Sequence, residues 1–246
     1  MEHEWNEQSA DMVCALNSQL ELPKTIGKLN NTDKLRRLDF CVSNENLCWE
    51  SVIFSDELVI ETNTTGTVWW PMMPNGCLGG TNGREVNWLN KSQMILWGGI
   101  TADKVLDLVV IKQPWNHTKY IEFVLEPQVK PLFNIYPNMV YQQDNSPVHR
   151  AKNVKEWFIK EAINCIDWPS KSWDLNIMED VWGILKEEIG VISHNSILQN
   201  EVLEKIIIDA WHRIQNNQAE LLPILYGSIK SRLRSCVVNK GDVSSW

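Results

Sequence analysis

The sequence predicts a mixed α/β domain: one central sheet of about five strands with helices on its faces. Three observations predict it. Early in the chain, β-rich runs follow one another in "WESVIFSDELVIE", "SQMILWGGI" and "VLDLVVI". From residue 117 onward, helical periodicity alternates with short apolar runs. The chain has 246 residues, 43% of them hydrophobic, enough for one good-sized core.

Taken in order, residues 1–30 read as an acidic, poorly ordered leader. Residues 31–48 read as a linker helix with Leu35, Leu38 and Val42 on one face. The first β-rich run ends at Ser55–Asp56 and a second starts at Leu58. Gly66, Pro71, Pro74, Gly76, Gly79, Gly80 and Gly83 mark a long irregular excursion around a brief strand in "TVWW". The next two strands meet at a short turn around Ala102–Lys104. A helix over 117–130 follows, then a strand at Met139–Gln142, a helix at Lys152–Glu161, a strand at Asn164–Ile166, a loop at Trp168–Leu175 and a helix from Ile177. A long helix near 198–221 and a shorter basic one near 228–238 close the chain. The α/β domain thus spans 49–225, with 226–246 a basic tail. This order of elements suits a ribonuclease-H-like fold.

Composition excludes several classes. No apolar run is long enough to span a membrane. The N-terminus carries Glu2, Glu4, Glu7 and Asp11 without lysine or arginine, unlike a targeting peptide. Cys14, Cys41, Cys48, Cys77, Cys165 and Cys236 form no Cys-x-x-Cys pair, which argues for a reducing compartment and against a zinc ribbon. The net charge of −8 is unlike that of most nucleic-acid binders, but two basic islands flank the acidic body. One holds Lys24, Lys28, Lys34, Arg36 and Arg37; the other holds Lys230, Arg232, Arg234 and Lys240. Either island alone also reads as solvated surface.

The chemistry lies in the carboxylates. Strand ends in α/β proteins face a crevice, and two of them here carry aspartate, Asp56 and Asp144. Two carboxylates on neighbouring strands repel unless a hard divalent cation lies between them. Glu179, with 34 residues between it and Asp144, borders the apolar helix face of Met178, Val181, Trp182, Leu185 and Ile189. Asp180 is turned about 100° away. Each residue also has a plainer reading. Asn176 and Glu179 fit a helix cap. Asp56 can close a turn, Asp144 can open an Asx turn before Pro147, and His149 can be a structural hydrogen-bonding partner.

The stretches "VIFSDE", "MILWGGI", "YQQDNSPVH", "IDWPSKSWDLN" and "EDVWGILK" together resemble the catalytic domain of mariner/Tc-type DNA transposases, in the Tc-like branch with its 34-residue spacing. The resemblance covers about residues 31–246. It implies a ribonuclease-H-like fold and metal-dependent DNA strand cleavage and transfer by a DDE endonuclease. It implies Asp56, Asp144 and Glu179 as catalytic ligands of two Mg2+ or Mn2+ ions, with Gln143, Asn145 and His149 supporting them. The partners it implies are DNA and a second copy of the chain in a homodimer, and the basic residues Lys34, Arg36, Arg37, Lys171, Arg232 and Arg234 are the expected DNA contacts. No membrane partner is expected. In a eukaryotic cell the location implied is the nucleus.

The departures favour a second reading. The family's paired helix-turn-helix modules have no counterpart in the 30 residues before the match. DNA binding is therefore expected to be weak and without sequence preference. Trp173 and Ile177 stand where prolines are expected, which predicts a looser loop. Trp70 stands where an arginine is typical. Arg codons that begin with CpG become Trp codons by one C-to-T change, as in a decayed element. The alternative is thus a catalytically silent relic that binds DNA or protein. A third reading, a stand-alone ribonuclease-H-type nuclease, fits the insertion "GCLGGTNGREVNWLNK" poorly.

Overall fold

The computed structural model describes residues 29–62, 68–69, 92–112, 114–193 and 200–243. Most of the leader, Lys24, Lys28, Trp70 and the glycine-rich excursion lie outside them.

The first helix, α1 (Asn31–Ser43), starts at a capping box. Asn30 Oδ1 accepts from the Asp33 N–H at 2.8 Å and Asp33 Oδ2 accepts from the Asn30 N–H at 3.2 Å. Its buried face is Arg37, Phe40 and Cys41, whereas Leu35 and Val42 are 66% and 57% exposed. The apolar face expected from the sequence is therefore turned outward. A bidentate bond from Arg37 to the buried Asp174 draws the 37/40/41 face inward.

After a 3-10 turn at Trp49–Ser51, β1 (Val52–Thr62) runs unbroken through Ser55–Asp56, where the sequence had suggested two runs. It pairs antiparallel with β3 (Ser92–Ile100) from Phe54↔Ile100 to Thr62↔Ser92, which places Asp56 opposite Gly98. β4 (Val109–Ile111) lies on the far side of β3. The other edge of β1 is divided. β5 (Val140–Tyr141) pairs in parallel with Val52–Ile53, and β2 (Val68–Trp69) pairs with Glu61–Thr62. The sheet has five strands in the order β2-β1-β3-β4, with β5 beside β1 on the same edge as β2 but at its other end. Where a further strand was expected at 164–166, Cys165 makes an isolated parallel bridge to Tyr141.

Strand alternation separates two cores. Phe54, Leu58, Ile60 and Leu96 face one side, against α4 (Met178–Ser193), α5 (Asn200–Asn216) and α6 (Gln218–Val238). Ile53, Trp97 and Tyr141 face the other, against a helical stretch α2 and helix α3 (Lys152–Lys160). Stretch α2 is α-helical over His117–Tyr120, widens to a π-helix over Ile121–Val129 and is α-helical again over Lys130–Ile135. Pro127 lies in the wide part, where it has no N–H for an i−4 bond.

α6 corrects the expected tail. Residues 226–238 are its C-terminal half and bury Tyr226, Ile229, Leu233 and Cys236. The Tyr226 hydroxyl bonds the Val52 and Ile100 carbonyls at 2.8 and 3.2 Å, tying the helix to the sheet. No helix among the described residues is long and apolar enough to cross a membrane.

Candidate active site

Asp56 lies within β1, yet its position has the character of a strand end, because β5 pairs no further than Ile53. Past that point the Gln142 N–H bonds the Ile53 carbonyl at 2.8 Å, and the Gln142 side chain accepts from the Ser55 N–H at 3.0 Å. The chain then veers away at Gln143–Asp144 and opens a cleft beside Asp56. Asp56, Asp144 and Glu179 all line this cleft, of about 390 Å3, together with Asn145, Lys171, Trp173 and Asn176. The three carboxylates singled out in the sequence thus come to one place from three elements.

Each is held differently. The Asp56 Oδ2 accepts from the Trp182 indole N–H at 3.2 Å. Trp182 reaches it because residue 98, across the ladder, is glycine: a Cβ there would lie 2.7 Å from the Trp182 ring and 2.8 Å from that of Trp211. Burial, and after it the negative charges of Glu179, Glu57 and Asp144, pushes the Asp56 carboxyl well above its usual range. Asp144 opens an Asx turn, with Oδ1 accepting from the Ser146 N–H at 2.8 Å, and still lines the cleft. Burial pushes its carboxyl up as well, but the hydrogen bond and charge of His149 outweigh that and hold it low. Glu179 starts α4 beside Asn176, whose Oδ1 accepts from the Met178 N–H at 3.1 Å and whose amide donates to the Ser55 carbonyl at 3.3 Å. The start of α4 is thereby tied to β1 one residue before Asp56.

The supporting residues also gather here. Asn145 donates to the Trp168 carbonyl, joining the Asp144 turn to the loop before α4. Gln143 accepts from the Tyr120 hydroxyl at 2.7 Å; Tyr120, Tyr141 and Ser55 form a buried hydroxyl chain beneath the site. His149 lies between Asp144 Oδ1, 2.7 Å from Nδ1, and Glu57 Oε1, 3.1 Å from Nε2. Burial works against its charge, but Glu57 and Asp144 prevail and push it up to about 10.

Glu57 was missed in the sequence. Alternation sends it to the opposite face of β1 from Asp56, and its place beside Asp56 in "VIFSDE" was the available signal. The ligand atoms of Glu57, Asp144 and His149 lie within 4.8 Å of one another, a spacing that could hold a metal ion. The donor set of Asp56, Asp144 and Glu179, all carboxylate oxygens on one cleft, suits a hard divalent cation such as Mg2+ or Mn2+.

Of the basic residues expected to hold DNA, Arg36 and Arg234 are exposed. Arg37 and Arg232 are corrections. Arg37 is fully buried and bonds both oxygens of Asp174 at 2.7 and 2.6 Å, along with the Lys171 and Gly241 carbonyls. Arg232 is 3% exposed and bonds Asp180 at 2.6 Å. Neither is placed to meet a phosphate. Lys34 pairs with Asp242, and Lys171, which lines the cleft, pairs with Asp33 at 2.7 Å. The Lys171–Asp33 pair and the Arg37 bonds to Asp174 and the Lys171 carbonyl tie the loop before α4 to α1.

Comparison with known proteins agrees with this architecture. The chain matches the solved catalytic domain of Mos1 mariner transposase with a TM-score of 0.63 at 15% identity, over 89% of this chain and 98% of that one. It matches the Mos1 mariner paired end complex with Mn with a TM-score of 0.67 at 15% identity, over 96% and 71%. At these identities the likeness establishes the ribonuclease-H-like fold. The Tc3 transposase of Caenorhabditis elegans is 30% identical over 230 residues, 87% of this chain and 64% of that protein. The Tc1 transposase of the same organism is 30% identical over 146 residues, 58% of this chain and 50% of that protein. The chain therefore spans less than two thirds of the length of these relatives. The family model of the DDE superfamily endonucleases matches residues 52–200, the stretch that carries Asp56, Asp144 and Glu179, and the chain belongs to that family, with the Tc3 and Tc1 transposases among its relatives.

Proposed function

We propose that the chain catalyses divalent-metal-dependent cleavage and transfer of DNA strands, as in transposition. The observation that carries this reading is the meeting of Asp56, Asp144 and Glu179 on one cleft, where burial, and after it like charges, raises the Asp56 carboxyl. These three residues would hold two Mg2+ or Mn2+ ions. Once bound, such ions neutralise the crowded carboxylates and stabilise charge on the attacking and leaving oxygens of a phosphodiester.

The chain's own residues set the geometry. Trp182 fixes one oxygen of Asp56, the Asx turn and His149 fix one oxygen of Asp144, and Asn176 fixes the start of the Glu179 helix against β1. DNA binding draws on Arg36 and Arg234 and on Lys171 at the rim of the cleft. The phosphate contacts of these residues make binding fall steeply with salt as counterions are released. In a eukaryotic cell this chemistry belongs in the nucleus.

The test is manganese-dependent nicking and strand transfer on DNA, with Asp144→Asn as the control and thermal melts beside it. Manganese is expected to raise the melting temperature of the wild type in a concentration-dependent way, because it binds only the folded state. Asp144→Asn should fold, lose most of that gain and cleave nothing. A folded wild type with neither metal response nor cleavage would leave the silent relic as the better reading.

A further inference from the structure

We infer that Glu57 is a positioning residue for Asp144, acting through His149; the inference rests on the reading of Asp144 as a metal ligand. Glu57 cannot join the Asp56 side of the cleft, because strand alternation turns it to the opposite face of β1, where Tyr120 and Tyr141 pack. There it meets His149, a histidine only 4% exposed. The imidazole has an acceptor at each end: Glu57 Oε1 at 3.1 Å from Nε2, and Asp144 Oδ1 at 2.7 Å and the Asp144 carbonyl at 3.1 Å from Nδ1. Its ring lies against that of Tyr120, with centroids 4.6 Å apart. Tyr120 limits the ring's sideways movement, and Glu57 sets its direction.

The consequence falls on Asp144. Its Oδ1 takes both the His149 and Ser146 hydrogen bonds, so the carboxylate can present Oδ2 to a cation without rotating. Without an acceptor at position 57, His149 is free to turn about its Cβ–Cγ bond and release Oδ1. Groups that orient a ligand in this way characteristically change metal affinity 10–100-fold when removed. The same three residues are close enough to hold an ion themselves, but each ring nitrogen already points at a carboxylate, so the imidazole fills the space between them.

The experiment measures Mn2+ affinity of the full chain by electron paramagnetic resonance of free Mn2+, with metal-free melts to establish folding. Four proteins are compared: wild type, Glu57→Gln, Glu57→Leu and Asp144→Asn. Gln keeps an acceptor oxygen at the same reach, and its affinity should stay within about threefold of wild type. Leu fills the space without an acceptor, and affinity should fall about tenfold or more while the protein remains folded. A Glu57→Leu protein with wild-type affinity would overturn the inference while leaving the metal site intact. Loss of binding in Glu57→Gln as complete as in Asp144→Asn would overturn it too, by making Glu57 a ligand. No uptake by the wild type would remove the metal reading itself, and this inference with it. Should Glu57→Leu not fold, Glu57→Asp takes its place. Its carboxylate withdraws from Nε2 by one methylene, so weakened binding is again expected, and unchanged binding is fatal.

Discussion

Asp174, buried in the loop before α4, and Asp56, half-buried at the cleft on β1, are two carboxylates whose surroundings are opposite. Asp174, 3% exposed, receives both arms of the Arg37 guanidinium. Asp56 receives the Trp182 indole N–H and the Glu57 backbone N–H but no cation, and burial and then the nearby charges of Glu179, Glu57 and Asp144 oppose its ionisation. A carboxylate matched by a permanent cation holds the architecture together: here it ties the first helix and the C-terminal turn to the loop that leads to Glu179. A carboxylate that is buried and crowded by its own kind costs stability when ionised, and a divalent ion held beside it would offset that cost. The difference separates a structural acid from an acid of the cleft, although both are aspartates shielded to some degree from water.

The largest expected effect comes from removing the cation. Arg37→Ala removes the bidentate partner of the buried Asp174 and also strips donors from the Lys171 and Gly241 carbonyls. Breaking such a pair from one side costs about 3–5 kcal/mol, read as a lowered denaturation midpoint. Replacing both partners together, as Arg37→Met with Asp174→Leu, should recover most of that loss, because the desolvation of two charges disappears with them. If the double replacement is no better than the single one, the pair's value lies in the carbonyl bonds of Arg37 and the contrast with Asp56 weakens.

A smaller effect is expected at Gly98, on the Asp56 side. An added Cβ would overlap the Trp182 and Trp211 rings, which lie 2.7 and 2.8 Å away. Gly98→Ala should cost about 1–3 kcal/mol as the rings shift. Trp182 should also lose its bond to Asp56, so a change in Mn2+ affinity beyond that of a distant mutation of equal cost is the sharper measurement.

What the sequence showed of this contrast followed from how local each signal was. The α4 face of Met178, Val181, Trp182, Leu185 and Ile189 was legible because one helix contains the whole pattern, and all five side chains are buried. Asp56, Asp144 and Glu179 were legible as a set from their order and spacing and from the resemblance those stretches carry. The Arg37–Asp174 pair was not, because its partners are far apart in sequence and nothing local marks Arg37 as inward-facing; it therefore read as a DNA contact. The helix expected near 198–221 is divided at Asn217 between α5 and α6, and the piece expected near 228–238 is the end of α6, which runs through Pro223 and Gly227. Glu57 was hidden by its neighbour: a period of two sends adjacent residues to opposite faces, and only the fold brings His149 to meet it.

The smallest expected effect bears most directly on the site. In the metal-free protein the Asp56 carboxyl is raised above its ordinary 3.8, so the folded state binds that proton more tightly than the unfolded chain does. The stabilising contribution of protonated Asp56 is full below pH 3.8 and is lost as the pH rises through the raised folded value. Asp144 runs the other way: its carboxyl is lowered, and its contribution is present above its ordinary value and lost as the pH falls through the folded one. Asp56→Asn keeps the shape and cannot ionise. Its stability relative to wild type should therefore rise with pH and become a modest gain at neutral pH without metal. Manganese should reverse the order, because the wild type gains an ion that the Asn protein binds poorly. Denaturant titrations of both proteins from pH 4 to 8, with and without manganese, read the two signs together. A wild type as stable as Asp56→Asn at every pH would mean that the crowding around Asp56 is relieved within the protein, and the distinction from Asp174 would fail at its most informative point.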